Sequence, residues 1–275
     1  MSGAQASVLA DGRLHLHHGP IDLICQAWGE DRSIAAGYRR AAIRFDTVLN
    51  ELVAELPALR SQKAALTGPI SSVMAQAVAP FSADFITPMA SVAGAVAEAV
   101  LAQIAGNGIC RAYVNNGGDI ALYITGSQGL NCAIAGTCAQ VSLRSNDPSR
   151  GIATSGWRGR SWSFGIADSV TVLAKTASVA DAAATMIANA VDLPGHPGIT
   201  RRPAVEMQAD SDLGHRLVTI GVAGLTAGDV SRALDRGEAA ARAYLARGLI
   251  DSAALFLQSD RRILGAIALK EPVFA

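Results

Sequence analysis

Three short segments of the chain carry residue types and spacings that suit chemistry. The first is Asn115-Asn116-Gly117-Gly118-Asp119. Two glycines between strands free the backbone for positive φ and for close approach of a ligand. Two amides and a carboxylate at one turn are hydrogen-bonding groups for a nucleotide base or ribose. An ordinary hairpin turn calls for the same residues, so both readings stand. The second is Gly151-Ile152-Ala153-Thr154-Ser155-Gly156, an apolar run that breaks into hydroxyls and a glycine. Small residues with donor groups suit a phosphate or flat ring passing close to the backbone; a strand end followed by a turn reads the same way. The third is Ser178 to Thr185. On a helix, Asp181 and Thr185 share one face, and a carboxylate and a hydroxyl so placed can both give oxygen to a hard cation such as Mg²⁺. Ser178 and Asp181 equally spell a capping box, in which Asp181 only closes the helix start.

Weaker signals surround these. His15 and His17 form an i, i+2 pair on one strand face but lack a third ligand nearby in sequence, and read as a solvated strand rather than a zinc site. Gly117-Gly118 lies in no GxGxxG and precedes no helix, which excludes a dinucleotide fingerprint there.

The elements that must position these segments follow from hydrophobic period and breakers. Strands are predicted at Arg13 to His17 and Ile21 to Ala27, joined by the turn His18-Gly19-Pro20. A helix runs from about Ser33 to Glu55 and stops near Pro57. A short helix covers Ile70 to Val78, and an Ala-rich one runs from Thr87-Pro88 to about Ala105, ended by Gly106-Asn107-Gly108. A β-rich centre follows: Ile109 to Asn115, Ile120 to Thr125, Asn131 to Ala135, Gln140 to Leu143, Gly151 to Ser155 and Ser169 to Ala174. Ser178 opens a helix reaching about Val191. Leu193 to Pro203 reads as an exposed Pro/Gly loop, His215 to Val222 as a strand and Gly228 to Arg247 as an amphipathic helix. The chain ends in a hairpin, Ala253 to Gln258 and Arg262 to Leu269. Helices and strands interleave without a strict βαβ rhythm, which predicts an α+β fold with mixed or antiparallel sheets packed with helices.

Composition narrows the function classes. The 275 residues include 23 basic and 23 acidic ones, 50% hydrophobic residues and 5% aromatics. A chain this apolar offsets its ordering entropy by burial, which excludes disorder. Balanced charge removes the usual attraction to nucleic acid, and few aromatics leave no platform for stacking a single strand. The start has neither a basic n-region nor a continuous apolar stretch, so no signal peptide is read. Pro88 to Ala105 is interrupted by Glu98 and Gln103 and falls short of a membrane span. Four cysteines without a CxxC read as buried free thiols in a reducing, cytoplasmic setting. An apolar, low-charge surface predicts a homodimer.

In order, the three segments resemble the ApbE superfamily, whose best-known members are FAD:protein FMN transferases. Asn116-Gly117-Gly118-Asp119-Ile120 resembles its GGD/N turn, and Ile152 to Gly156 its "ATSG" segment. Ser169-Val170-Thr171-Val172 followed by Ala180 to Thr185 resembles its "SVTV…ADAxAT" ending. Gly94 to Glu98 is similar to the helix that follows the family's "KG", with Glu98 where an Asp is usual. These motifs cover about residues 85 to 190 of what reads as one ApbE-like domain over 1–275, most like a smaller, uncharacterised branch of the superfamily. The resemblance implies an α+β fold with FAD in a cleft. Asn116, Gly117, Gly118, Asp119, Thr154, Ser155 and Gly156 would contact the nucleotide, and Asp181 and Thr185 would ligate Mg²⁺. The implied reaction is transfer of FMN from FAD to a hydroxyl with release of AMP. Two features depart from the family pattern. Its Lys is Ala93 here, and its "HxxDP" loop is replaced by Trp162 to Asp168, where Asp168 is the candidate for the family Asp. A related enzyme with another substrate in the same cleft, or a flavin-binding or assembly protein without catalysis, fits the same motifs.

Overall fold

The computed structural model describes residues 3–63, 65–133 and 140–265. Its centre is a nine-stranded sheet whose neighbouring strands all pair antiparallel. In chain order the strands are β1 (Gln5–Val8), β2 (Leu14–His18), β3 (Ile21–Gly29), β4 (Ile109–Asn116), β5 (Asp119–Ile124), β6 (Gly129–Ala133), β7 (Gln140–Arg144), β8 (Gly151–Ser155), β9 (Ser169–Ala174), β10 (Ile199–Pro203), β11 (Leu217–Val222), β12 (Ser252–Leu257) and β13 (Asp260–Gly265). The large sheet runs β1-β2-β3-β4-β5-β8-β9-β12-β13, while β6-β7 and β10-β11 are separate hairpin-like pairs. The helices are α1 (Asp31–Ala54), α2 (Leu56–Leu59), α3 (Pro69–Val78), α4 (Val92–Ile104), α5 (Ala177–Ala190), α6 (Ala204–Met207) and α7 (Ala227–Ala246). The expected α+β class is the observed one, with every described sheet pair antiparallel.

Side-chain period explains the layering. In β3 the residues Ile21, Leu23, Cys25 and Ala27 alternate inward, as a strand with one wetter face must. In α1, Tyr38, Ala41, Phe45, Val48 and Leu52 recur every three or four positions and form its buried stripe. Phe45, Leu16 and Leu23 are almost wholly buried in the core beneath it, each contributing about 1.5–3 kcal/mol of transfer free energy. Helices α1, α4, α5 and α7 touch in that order and lie over β2-β3, β4-β5, β8-β9 and β12-β13 respectively. The opposite side of the central strands is covered in part by β6-β7, whose Leu130, Val141 and Leu143 pack on Leu122, Ile124, Ile152 and Leu173.

Several expectations need correction. Leu193 to Pro203 is not all loop, because Ile199–Pro203 pairs with Leu217–Val222 through a bulge at Thr200/Arg201. The short edge strand β1, fully exposed, carries no alternation to betray it. The closing hairpin turns at Gln258-Ser259, with Gln258 at φ 53, a residue or two before the expected Ser259-Asp260-Arg261. Residues 134–135 and 266–269 of two expected strands lie outside the described residues. Cys25 is a buried free thiol and Cys110 and Cys132 are half-buried ones; Cys138 lies outside the described residues. Among the described residues no helix is long and apolar enough to cross a membrane.

Candidate functional site

A cavity of about 280 Å³ opens where the helical layer meets the ends of the central strands. Strand period selects what faces it. Ala121 and Ala153 point into the helix-side cores, so Asp119 and Ser155, two positions away, point to the same side. Both line the cavity. Helix α5 supplies the facing wall with Asp181, Thr185 and Asn189, spaced four apart on one stripe.

The start of α5 settles how Asp181 is used. Thr176 is the N-cap, accepting from the Val179 N–H at 3.3 Å. Of the two readings left open for Ser178 and Asp181, the capping box is therefore absent. Instead, the N–H of Ser178 donates to Glu98 Oε1 at 2.6 Å, and the N–H of Gly94 donates to Asp181 Oδ2 at 3.0 Å. Helices α4 and α5 come this close because Gly94 has no side chain: a Cβ there would sit 2.3 Å from the Ala177 carbonyl oxygen. Glu98 thus ties the two helices together.

The electrostatics of the cavity floor are unusual. Burial pushes the Asp119 carboxyl up to about 7, against the pull of the Thr154 N–H and the Arg160 charge. Asp181 is driven well above the carboxylate range, first by burial and next by the charge of Asp119, with Glu98 adding to it and the N–H groups of Gly94 and Ala93 opposing. Two buried acids in one cavity, the charge of one raising the proton affinity of the other, are a site asking for positive charge. With the hydroxyls of Thr185 and Ser155 alongside, the donors are all hard oxygens. The set fits Mg²⁺, which takes one or two carboxylates and keeps its other positions for water and phosphate. It holds two carboxylates only: among the described residues no group of three or more His, Cys, Asp or Glu gathers to hold a metal.

The other expected site residues divide by direction. Thr154 faces away from the cavity; its hydroxyl meets Thr171 Oγ1 at 2.8 Å, and its N–H reaches Asp119 Oδ1 at 3.2 Å. It steadies Asp119 rather than lining the cavity. Asn116 donates from Nδ2 to the Ala93 carbonyl at 3.2 Å, fastening the turn to the start of α4. The Gly118 N–H donates to Asn115 Oδ1 at 2.8 Å within the turn. Gly117, at φ 66, lies against the Arg160 guanidinium. Gly156 packs on the Asp168 carbonyl, which a Cβ would approach to 2.5 Å. Asp168 itself accepts from Trp157 Nε1, Arg158 Nε and the Gln258 N–H, a loop-bracing role outside the cavity. His15 and His17 both meet Asp22 Oδ2, at 3.1 and 3.2 Å, on a partly exposed face.

Pattern reading passed over the walls contributed by loops. Phe85, Trp162 and Phe164 bring flat rings to the cavity, and Arg60 and Arg160 bring cations. The Phe164 N–H and the Ser163 hydroxyl both donate to Asn189 Oδ1, at 2.9 and 3.1 Å, which pins this loop to α5. The segment between α6 and β11 closes another side. It is fastened by an Arg60–Asp210 ion pair of 2.7 Å, a Thr87–Asp212 hydrogen bond and the Arg216 guanidinium 3.3 Å above the Phe85 ring.

Fold and cavity together define an α+β protein with an acid-floored, arginine-bearing, aromatic-walled cleft. Residues 6–268 match the family model described as AbpE bacteria, and the chain belongs to this ApbE-related family. It is 44% identical over 115 residues to a UPF0280 protein of Methanothermobacter thermautotrophicus, covering 40% of this chain and 44% of that one. It is 44% identical over 111 residues to a UPF0280 protein of Methanococcus vannielii, covering 38% and 45%. A UPF0280 protein of Methanobrevibacter smithii is 41% identical over 110 residues, 38% of this chain and 46% of that one. The chain thus spans less than half the length of these relatives.

Proposed function

We propose that the cleft binds a flavin nucleotide, FAD, together with Mg²⁺, and that it serves FMN transfer of the ApbE type. The observation that carries this reading is the pairing of Asp119 with Asp181 in one cavity, with no Lys, Arg or His among the described residues bonded to either. Asp181 and Thr185 would hold Mg²⁺ from α5 and Asp119 from the strand end, with the Ser155 hydroxyl beside them. When bound, the ion supplies charge neutralisation at a pyrophosphate, which is most of what phosphoryl-type transfer requires of a protein. Phe85, Trp162 and Phe164 provide faces for a ring, and Asn189 keeps the loop that carries two of them in place. In the transfer an acceptor hydroxyl oxygen bonds to the FMN phosphorus, the phosphoanhydride P–O bond breaks, AMP leaves and the hydroxyl proton is lost.

A second reading has its own support. Pockets for drug-sized ligands usually enclose about 300–1,000 Å³, and this cavity encloses about 280 Å³. That volume suits the phosphate-bearing part of a nucleotide, and favours a related enzyme acting on a smaller phosphoanhydride in the same cleft.

A thermal melt with FAD, with and without Mg²⁺, tests the first reading. Ligand at 100 times its Kd stabilises by about 2.7 kcal/mol, which for a chain near this size raises Tm by roughly 5–10 °C. The expected result is a rise that needs Mg²⁺, followed by AMP release from FAD when an acceptor is supplied. An unchanged Tm would move the function to the second reading.

A further inference from the structure

The arginines around the cavity are not equivalent. Arg60 is paired with Asp210 at 2.7 Å. Arg158, on the adjoining loop, is paired with Asp168 at 2.8 Å. The Arg216 guanidinium sits over the Phe85 ring, 3.3 Å from its centroid. Arg160 lines the cavity, yet among the described residues it makes no hydrogen bond and no ion pair; its charge reaches the floor only as a longer-range pull on Asp119. Its seat is shaped by the turn between β4 and β5. A Cβ on Gly117 would fall 1.7 Å from Arg160 Nη2, so the guanidinium rests where only glycine leaves room. The turn therefore carries the acid that faces the cavity at Asp119 and, two residues earlier, the gap that admits the base.

Resting on the reading of the cleft as a nucleotide-and-cation site, we propose that Arg160 is the residue that grips the ligand's phosphate in the cavity that Asp181 also lines. A planar guanidinium offers paired N–H donors that match two phosphate oxygens, which a point charge cannot do. A side chain already bonded within the protein would have to break those bonds first; among the described residues Arg160 has none to break. The site then presents opposite charges to opposite needs: carboxylates for the cation, and Arg160 for the oxygens that the cation does not take. The ligand class is a phosphoanhydride, whether inorganic pyrophosphate or the diphosphate of a dinucleotide.

Calorimetric titration of the full chain with inorganic pyrophosphate and, separately, FAD, both with Mg²⁺ present, tests this assignment. Arg160→Gln is expected to weaken pyrophosphate binding at least tenfold and Arg160→Lys to weaken it less. The Tm without ligand and the binding of Mn²⁺ alone, followed by its electron paramagnetic resonance, are expected to stay as in the unmodified chain. Arg160→Gln that binds pyrophosphate normally, or that loses Mn²⁺ as well, overturns the proposal, as does an unmodified chain that takes up no pyrophosphate. An unmodified chain that binds pyrophosphate but not FAD, with the loss at Arg160→Gln intact, overturns the flavin reading and upholds Arg160.

Discussion

The starts of α5 and α7 are spelled alike, Ser178-x-x-Asp181 and Thr226-x-x-Asp229, and the fold uses them in opposite ways. In α7 the pattern is the capping box it looks like. The Thr226 N–H and hydroxyl both donate to Asp229 Oδ2, at 2.9 and 2.6 Å, and the Asp229 N–H donates back to Thr226 Oγ1 at 3.2 Å. Arg232 adds an ion pair at 2.6 Å, and the Asp229 carboxyl is held below its ordinary range chiefly by the Thr226 hydroxyl. In α5 the cap belongs to Thr176, so Asp181 falls more than a turn inside the helix and looks across at α4 and the cavity. Burial first, and then the charges of Asp119 and Glu98, raise its proton affinity, whereas the neighbours of Asp229 lower that of Asp229. A carboxylate whose partners are complete has a structural job that the fold alone explains. One placed beside its own kind in a cavity destabilises the empty protein, and ligand charge is what relieves it.

The largest effect is expected where that contrast is sharpest. Asp181→Ala should abolish the Mg²⁺-dependent rise of roughly 5–10 °C that FAD gives the unmodified chain. Without ligand, its Tm should hold or rise, because a carboxyl that burial and neighbouring acids make costly to ionise has been removed. A melt series at fixed FAD with and without Mg²⁺ reads both. A variant that keeps the Mg²⁺-dependent rise but melts lower when empty would make Asp181 a second Asp229, and the comparison would collapse.

Why the two starts could not be told apart in one dimension is a matter of distance along the chain. Helix period placed Asp181 and Thr185 on one face, and strand period with the turn residues of Asn116 to Asp119 placed a hairpin; both are local and both are present. What decides Asp181 is its neighbour at Gly94, 87 residues earlier, and Thr176, which outcompetes Ser178 for the cap. The same alternation that builds β8 turns Ser155 into the cavity and Thr154 out of it, which a strand's two faces predict only once the helix side is known. The cavity's loop walls were hidden for a stronger reason. Arg160, Trp162, Asp210 and Asp212 lie in segments with no period at all, and their meeting is set by the elements they connect. Residues that anchor the fold, such as Leu23 and Phe45, sit on the repeats that one-sided burial imposes on a strand and a helix, whereas a site imposes none.

A middle-sized effect probes the other side of the comparison. Thr226→Ala removes the cap of α7 without touching the cavity, and should lower stability by about 0.5–2 kcal/mol. At roughly 2–4 °C per kcal/mol for a chain of this size, that is a fall of a few degrees in Tm. The further rise with FAD and Mg²⁺ should match that of the unmodified chain. Loss of that rise would mean the α7 cap and the cleft are coupled, and the division of labour between the two helix starts would no longer stand.

The smallest effect tests whether a completed carboxylate behaves as one wherever it sits. Glu55, at the end of α1, caps the start of α3 from outside. It accepts from the Thr67 N–H and hydroxyl at 2.9 and 3.0 Å, from the Gly68 N–H at 3.1 Å and from the Ser71 hydroxyl. These bonds, the Ser71 hydroxyl foremost, pull its carboxyl down from 4.5 to about 2. A group whose folded pKa is depressed stabilises fully above its unfolded value and loses that contribution as pH falls toward the folded one. Glu55 should therefore add to the decline in Tm between about pH 4.5 and pH 2, and do nothing to the pH dependence near neutrality. Glu55→Gln should melt lower than the unmodified chain at pH 7, because a neutral amide accepts these bonds more weakly than a carboxylate. The gap between the two should close as pH falls through that window. Melts that stay parallel down to pH 2 would show that the Glu55 bonds are not kept in solution, and would restrict the contrast between complete and incomplete carboxylates to α5 and α7.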